Sequence, residues 1–276
     1  MKPGVFGRTY PFQTAAKIFG AAKRDGFAAI QFNLSGVGLP SLPAELYEAT
    51  LDGLAGAASA AGLELVALSG TYNMANPDRD MRLAGRLGFA NVVRAAVLIG
   101  APLVTICTGS RDPKDMWKAH PDNGSDAAWN DMRGELDAAL ELASRHGLKI
   151  GVEPEPGNVV RDARDARRLL DEVGASAPLG IVLDAANLVS TDLPRQSEIM
   201  REAMDLLGDA LVLAHAKDVD AHDHVTCPGD GEVDLVWFTA LLRKAGYDGA
   251  LVGHGFEATD AARAGLYLAH LIEEIA

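Results

Sequence analysis

Apolar residues along this chain fall into short, nearly unbroken runs, separated by longer stretches in which they recur at helical spacing. Seven times a helix-like stretch stops at a glycine and an apolar run follows: RDGFAAIQF, AAGLELVAL, LIGAPLVTI, RHGLKIGV, EVGASAPLGIVL, LLGDALVLA and KAGYDGALV. The glycines are Gly26, Gly62, Gly100, Gly147, Gly174, Gly208 and Gly246, spaced 27 to 47 residues apart. That is the length of one strand, one helix and two loops. The residue after a helix commonly takes the left-handed conformation, which a Cβ penalises, so glycine at this point marks a helix end.

Seven junctions join eight strands, expected near 4–9, 27–34, 64–71, 102–109, 148–154, 179–185, 210–218 and 249–255. Runs such as LVTIC, KIGVE, GIVLD and LVLAH are apolar on both parities, as strands covered on both faces must be. Helical patterns occupy Pro43–Ala61, Asp126–His146 and Ala261–Ile275. Repeated strand–helix units make parallel sheet, and eight of them close into an α/β fold, a (β/α)8 TIM barrel with eight parallel strands, here a single domain over 1–276. An open doubly wound sheet is the other arrangement such units allow. Helix-to-strand turns are short, whereas Gly109–Asp126 after the fourth strand and Val219–Asp234 after the seventh are long and polar. Strand-to-helix loops of a barrel lie on its C-terminal face, where active sites sit, and loops of this length are usually functional.

Composition narrows the partners. The 276 residues carry 25 Lys+Arg against 38 Asp+Glu, a net charge of −13. Such acidity opposes nucleic acid as a partner, because phosphate binding runs on clustered Lys and Arg. Cys107 and Cys227 are too few for a disulfide framework and too far apart for a zinc or redox motif, so each is expected to be a buried thiol. The opening MKPGVFGRTYPFQ has no export-signal pattern. The longest apolar stretch, Ala95–Cys107, has 13 residues, short of the roughly 20 that span a bilayer. These features predict a cytoplasmic protein with no membrane partner; assembly into a homo-oligomer stays open.

Polar residues at the strand ends are the candidate chemistry. The fifth strand ends GVEPEPGN, putting Glu153 and Glu155 on one face. The sixth ends IVLDAANL and delivers Asp184, the seventh ends VLAHAKDVD and delivers His215 with Lys217 at the same parity, and the eighth ends ALVGHGFE and delivers His254. Two carboxylates and two imidazoles on four successive strands suit one divalent metal ion such as Mn, Fe, Co, Zn or Mg. For each alone the plainer reading is a helix cap or a satisfied hydrogen bond; their joint occurrence favours a site.

VEPEPGN, LDAANL, the HAKD tetrad and PGDGEVDLVWFTALLRKAGYDGALV resemble the xylose-isomerase-like TIM-barrel superfamily of sugar phosphate isomerases and epimerases. That superfamily also contains ketose 3-epimerases, inosose and dehydroshikimate dehydratases and endonuclease IV. The resemblance implies one catalytic metal held by residues of strands five to eight, which fall on Glu153, Asp184, His215 and His254. Two departures stand out: the resemblance calls for Glu where His254 stands, with Glu257 three residues later, and for His where Asn187 stands. In the ketose epimerases, carboxylates from strands five and eight remove and return a proton on opposite faces of the substrate carbon, and the metal stabilises the enediolate between the steps. Here His254 either ligates the metal and serves as acid/base, or yields the position to Glu257, or only hydrogen-bonds substrate.

The resemblance therefore implies a metal-dependent isomerase or epimerase of a sugar, sugar phosphate or keto-sugar, with Glu153, His254 and Lys217 as catalytic groups. A lyase that dehydrates a cyclic polyol or keto acid, and a non-catalytic sugar-binding barrel, are the alternatives. Arg8, Asn33 and Tyr72 close strands one to three, and with Arg111, Trp117, Glu155, Asn187 and Glu257 they are candidate substrate contacts. Lys114 and His120 share the long fourth loop. His222 and His224 read as solvent-exposed, and Gly229 and Gly231 as a turn without the Lys-Ser/Thr of a phosphate loop. A DNA-repair nuclease is disfavoured by the charge and by the small number of ligands.

Overall fold

The structure is a computed structural model that describes residues 1–11, 13–46, 48–189 and 191–274. Eight parallel strands form a closed barrel: β1 (Lys2–Phe6), β2 (Ala29–Phe32), β3 (Glu64–Ser69), β4 (Leu103–Ile106), β5 (Lys149–Val152), β6 (Leu179–Asp184), β7 (Leu211–Ala216) and β8 (Ala250–Gly253). Each pairs with its sequence neighbours, and β1 closes on β8. The open-sheet alternative is thereby excluded. All eight strands are shorter than the expected spans, and β1 ends at Phe6, with a 3-10 turn over Gly7–Thr9.

The helix Asp126–His146 shows how the outer layer forms. Its buried residues Ala128, Trp129, Met132, Leu136, Ala139, Leu140 and Ala143 recur every three or four positions, one stripe of a helix. The Ser125 side chain accepts the Ala128 N–H, and Gly147 ends the helix at φ 67°. The expected helix from Pro43 starts at Glu48, and the final one runs Ala261–Glu274, with Ile275 outside the described residues. Six of the seven junction glycines have positive φ. Gly208 does not: at φ −55° it is right-handed, and a Cβ there would stand 3.2 Å from the Ala245 Cβ, so packing explains this glycine.

Inside the barrel the two-residue period of each strand stacks one layer on another. The lower layer is small or apolar: Ala29, Ala67, Leu103, Val182, Leu213 and Val252 are all buried. Two residues further along the same strands stand Gln31, Ser69, Thr105, Asp184, His215 and His254, and Glu153 follows Gly151 in the same way. Gly151 leaves space that a Cβ would fill 2.8 Å from Val182 Cγ2. Polar side chains thus sit at the C-terminal mouth on an apolar floor. Among the described residues no helix is long and apolar enough to cross a membrane.

The two long loops have structure of their own. The fourth contains a 3-10 turn over Pro121–Gly124. The seventh folds into a two-stranded antiparallel ribbon, Asp218–Val219 against Val225–Thr226, which periodicity did not foretell because each strand is only two residues long.

Candidate metal centre at the barrel mouth

Strand register brings the ligand candidates together. Asp184 and His215 are direct partners across β6 and β7, and His215 is level with Val252 of β8. Glu153, Asp184, His215 and His254 each offer an atom within 4.8 Å of the others. His254 Nε2 lies 2.8 Å from Asp184 Oδ2, and His215 Nδ1 lies 3.2 Å from Glu153 Oε1 and 3.7 Å from Asp184 Oδ2. Two buried carboxylates this close repel unless a cation stands between them. His215 can supply that cation: burial opposes its charge, but Glu153 and Asp184 override burial and raise it to about 9. Burial likewise pushes both carboxyls up, yet His215 holds Glu153, and Lys217 with the two imidazoles holds Asp184, below the usual range. His254 is lowered chiefly by burial, although Asp184 opposes the shift, which favours the neutral imidazole that a metal ligand requires. Two carboxylates and two imidazoles with converging atoms fit a divalent ion of the first transition row.

Gln31 orients His215. Its amide nitrogen donates to Thr105 Oγ1 at 3.1 Å, which turns its Oε1 to accept the His215 Nε2–H at 2.7 Å. The ring's Nδ1 therefore faces the carboxylates, as a metal ligand requires. Sequence reasoning passed over Gln31 in favour of Asn33. The available signal was Gln31's place as a polar residue inside β2, at the parity of Asn33.

A cavity of about 290 Å³ opens above the quartet and is bordered by Arg8, Asn33, Trp117, Glu155, Lys217 and Cys107 among others. Asn187 bridges two of these: its amide nitrogen donates to Glu155 Oε2 at 2.6 Å and its oxygen accepts from Lys217 Nζ. Burial, with Glu153 and Asp184 nearby, raises Glu155 to about 7 although Lys217 opposes the shift. Lys217 stays charged, because Asp184 and the two glutamates outweigh its burial. Cys107 is buried with its thiol pushed well up by burial, 3.9 Å from Glu153 Oε2.

Three expected contacts lie elsewhere. The Tyr72 hydroxyl donates to Glu135 at 3.0 Å, deep in the helical layer; Ser69 and Thr71 border the cavity, so the parity running from Ser69 excludes Tyr72. Arg111 is spent on Asp131 at 2.7 Å and on the Ala75 carbonyl. Glu257 is exposed at the start of a 3-10 turn over Ala258–Asp260 and does not join the quartet, where His254 stands. Asn33 borders the cavity, but its Oδ1 accepts from Ser35 N and Ser41 Oγ. His222 and His224 are exposed, as expected, the latter beside Asp220.

Asp218, the last residue of HAKD, is 1% exposed. Its carboxylate accepts the backbone N–H groups of Val219, Gly229, Gly231 and Val233. A Cβ on Gly231 would sit 2.2 Å from Asp218 Oδ1. HAKD and GDGEVD are thus one folding unit, in which the carboxylate organises the turn. A wider hollow of about 490 Å³, bordered by Pro102, Lys149, Asp209 and Gly249, lies at the N-terminal end of the strands and contains none of the quartet.

The profile of the family described as xylose isomerase-like TIM barrel matches residues 19–270. The chain belongs to that family. Comparison with curated proteins gives no match. Among solved structures it is similar to a 3-keto-D-glucoside 4-epimerase from E. coli, with TM-score 0.77, 19% identity, and coverage of 98% of this chain and 99% of that one. It is also similar to a D-tagatose 3-epimerase-like protein, with TM-score 0.78, 16% identity, and 100% and 98% coverage. An IOLI protein with a bound zinc atom gives TM-score 0.77 at 17% identity over 100% and 99% of the two chains. At these identities the likeness establishes the fold.

Proposed function

We propose that this protein is a divalent-metal-dependent isomerase or epimerase of a sugar or keto-sugar, acting by proton transfer beside a carbonyl. The observation that carries this reading is the quartet Glu153, Asp184, His215 and His254, converging within 4.8 Å beneath a cavity with polar walls. The epimerases among the structural neighbours support the same class. A cation bound there supplies Lewis acidity that polarises the substrate carbonyl. Glu153 is the proton acceptor: Oε1 is engaged by His215 and Asn187, and Oε2 has the Cys107 thiol at 3.9 Å. Lys217, steadied by Asn187, holds a substrate oxygen and stabilises negative charge developing on it. His254 would be the fourth residue to hold the cation or, where it leaves the cation to the other three, the second proton carrier.

One feature of the quartet favours a second reading. His254 leans on Asp184 at 2.8 Å, and with that imidazole given to the cation Glu153 is left as the one base of the quartet. A single base on one face suits a proton shift along that face, or loss of water from the neighbouring carbon, which would make the protein a lyase. Products formed in D2O distinguish these outcomes: solvent deuterium at an inverted carbon for epimerisation, a moved carbonyl for isomerisation, and an unsaturated or deoxy product for dehydration. Asp184→Ala tests the common premise. It should abolish stoichiometric Mn(II) binding and turnover together, and an active variant without metal would refute the proposal.

A further inference from the structure

The space above the quartet does not end at Trp117. A groove of about 470 Å³ continues outward, and Trp117, Glu155 and Lys217 border both spaces. Its apolar surface comes from Trp117 and Ala119 of the fourth loop, Pro156 after β5, and Val219 and Val225 of the ribbon after β7. Trp117 is 50% exposed and Val225 48% exposed, a cost in water that a ligand would recover.

Both side chains stand on built supports. Asn158, fully buried, donates to the Met116 carbonyl at 2.9 Å and accepts the Gly109 N–H at 2.6 Å. Ser110, also fully buried, donates to the Lys118 carbonyl at 2.6 Å. A Cβ on Gly157 would lie 2.0 Å from the Trp117 carbonyl oxygen, so this glycine lets the tryptophan loop seat directly on the VEPEPGN turn. The ribbon carrying Val225 is held by the Asp218 carboxylate described above. Two exposed apolar side chains on separately anchored loops, beside one cavity, are preorganised for a ligand.

Charge narrows the ligand. Lys217 is the cation bordering the groove among the described residues, and it is already bonded to Asn187; Asp223 adds negative charge. A phosphate there would meet acid, so the groove suits a neutral, apolar group.

We propose that this groove is a second subsite and that the substrate is a keto-sugar bearing an uncharged apolar ring, in its simplest form an aryl glycoside with a carbonyl on another carbon of the sugar, for which unoxidised glycosides serve as unreactive binding probes. The sugar oxygens face Glu153, Asp184, His215 and His254, and the ring lies against Trp117 and Val225. The inference rests on the metal-dependent reading above.

The test is calorimetric titration of the Mn(II)-loaded full-length protein with matched methyl and phenyl β-glycosides of glucose, galactose and xylose, with cellobiose alongside. For at least one sugar the phenyl glycoside should bind about ten-fold tighter than the methyl glycoside, an aromatic contact of ordinary size. In Val225→Asp and in Val225→Ser, each checked for folding by circular dichroism, the phenyl-to-methyl ratio should fall toward one. Equal affinities in the wild type, a preference that survives both variants, or a stronger gain from cellobiose than from phenyl would overturn the second subsite while leaving the metal-dependent reading standing. A folded protein that binds no Mn(II) would overturn both.

Discussion

Gln31→Leu isolates the contribution of a residue that touches no metal. Gln31 is 3% exposed and spans from Thr105 Oγ1 at 3.1 Å to His215 Nε2 at 2.7 Å. Leucine has nearly the same volume, so the substitution removes the polar contacts without opening a cavity. The Thr105 hydroxyl can rotate, but the imidazole N–H cannot, and leaving it buried without an acceptor costs about 1–3 kcal/mol. Domain stabilities of about 5–15 kcal/mol leave such a variant folded. The larger relative effect falls on the metal. Loss of the partner that fixes a ligating histidine lowers metal affinity by about 10–100-fold, or roughly 1.4–2.7 kcal/mol. Mn(II) titration in competition with a chromophoric chelator reads the affinity, and urea unfolding of metal-free protein reads the stability. Gln31→Glu keeps an acceptor on Nε2 and should retain affinity within a few-fold. A folded Gln31→Leu protein that binds Mn(II) as tightly as wild type would refute the role of Gln31 in orienting His215.

Asp218→Asn keeps the shape but weakens four backbone contacts and should lower stability in urea by about 1.5–3 kcal/mol, the value of bonds to a charged acceptor; an unchanged midpoint would show that the turn does not depend on the charge. Gly157→Ala places a methyl 2.0 Å from the Trp117 carbonyl and should displace the tryptophan loop, visible as changed Trp117 fluorescence in a Trp129→Phe, Trp237→Phe background. Cys227 is raised by burial to about 11, so less of it is thiolate at pH 8 than of an unperturbed thiol; its iodoacetamide reaction, followed by peptide mass spectrometry in Cys107→Ala, should be slow there and keep accelerating toward pH 11.

The fold was legible because its local signals are repeated. Each strand–helix unit carries the same stop and the same solid apolar run, and seven repeats leave few topologies for eight strands. The convergence of the candidate quartet was legible for a related reason. A strand alternates its faces every two residues, so Glu153 follows Gly151, Asp184 follows Val182, His215 follows Leu213 and His254 follows Val252 on the inward side of a parallel barrel. The same rule, carried from Ser69 to Thr71, excludes Tyr72, whereas Arg8 borders the cavity from the 3-10 turn that follows β1.

Tertiary structure decided which polar groups were already engaged. Arg111 looks free in sequence but meets Asp131, and the hydroxyl of Tyr72 meets Glu135, 63 positions away. Gln31 and His215, 184 positions apart, become neighbours only when the barrel closes. The coupling of HAKD to GDGEVD through Asp218, and the groove between Trp117 and Val225, likewise depend on how two loops pack against each other. Periodicity is a property of one segment and can be read along the chain. A hydrogen-bond partner, or a cavity shared by two loops, is a property of segments brought together, fixed by the packing of the whole barrel.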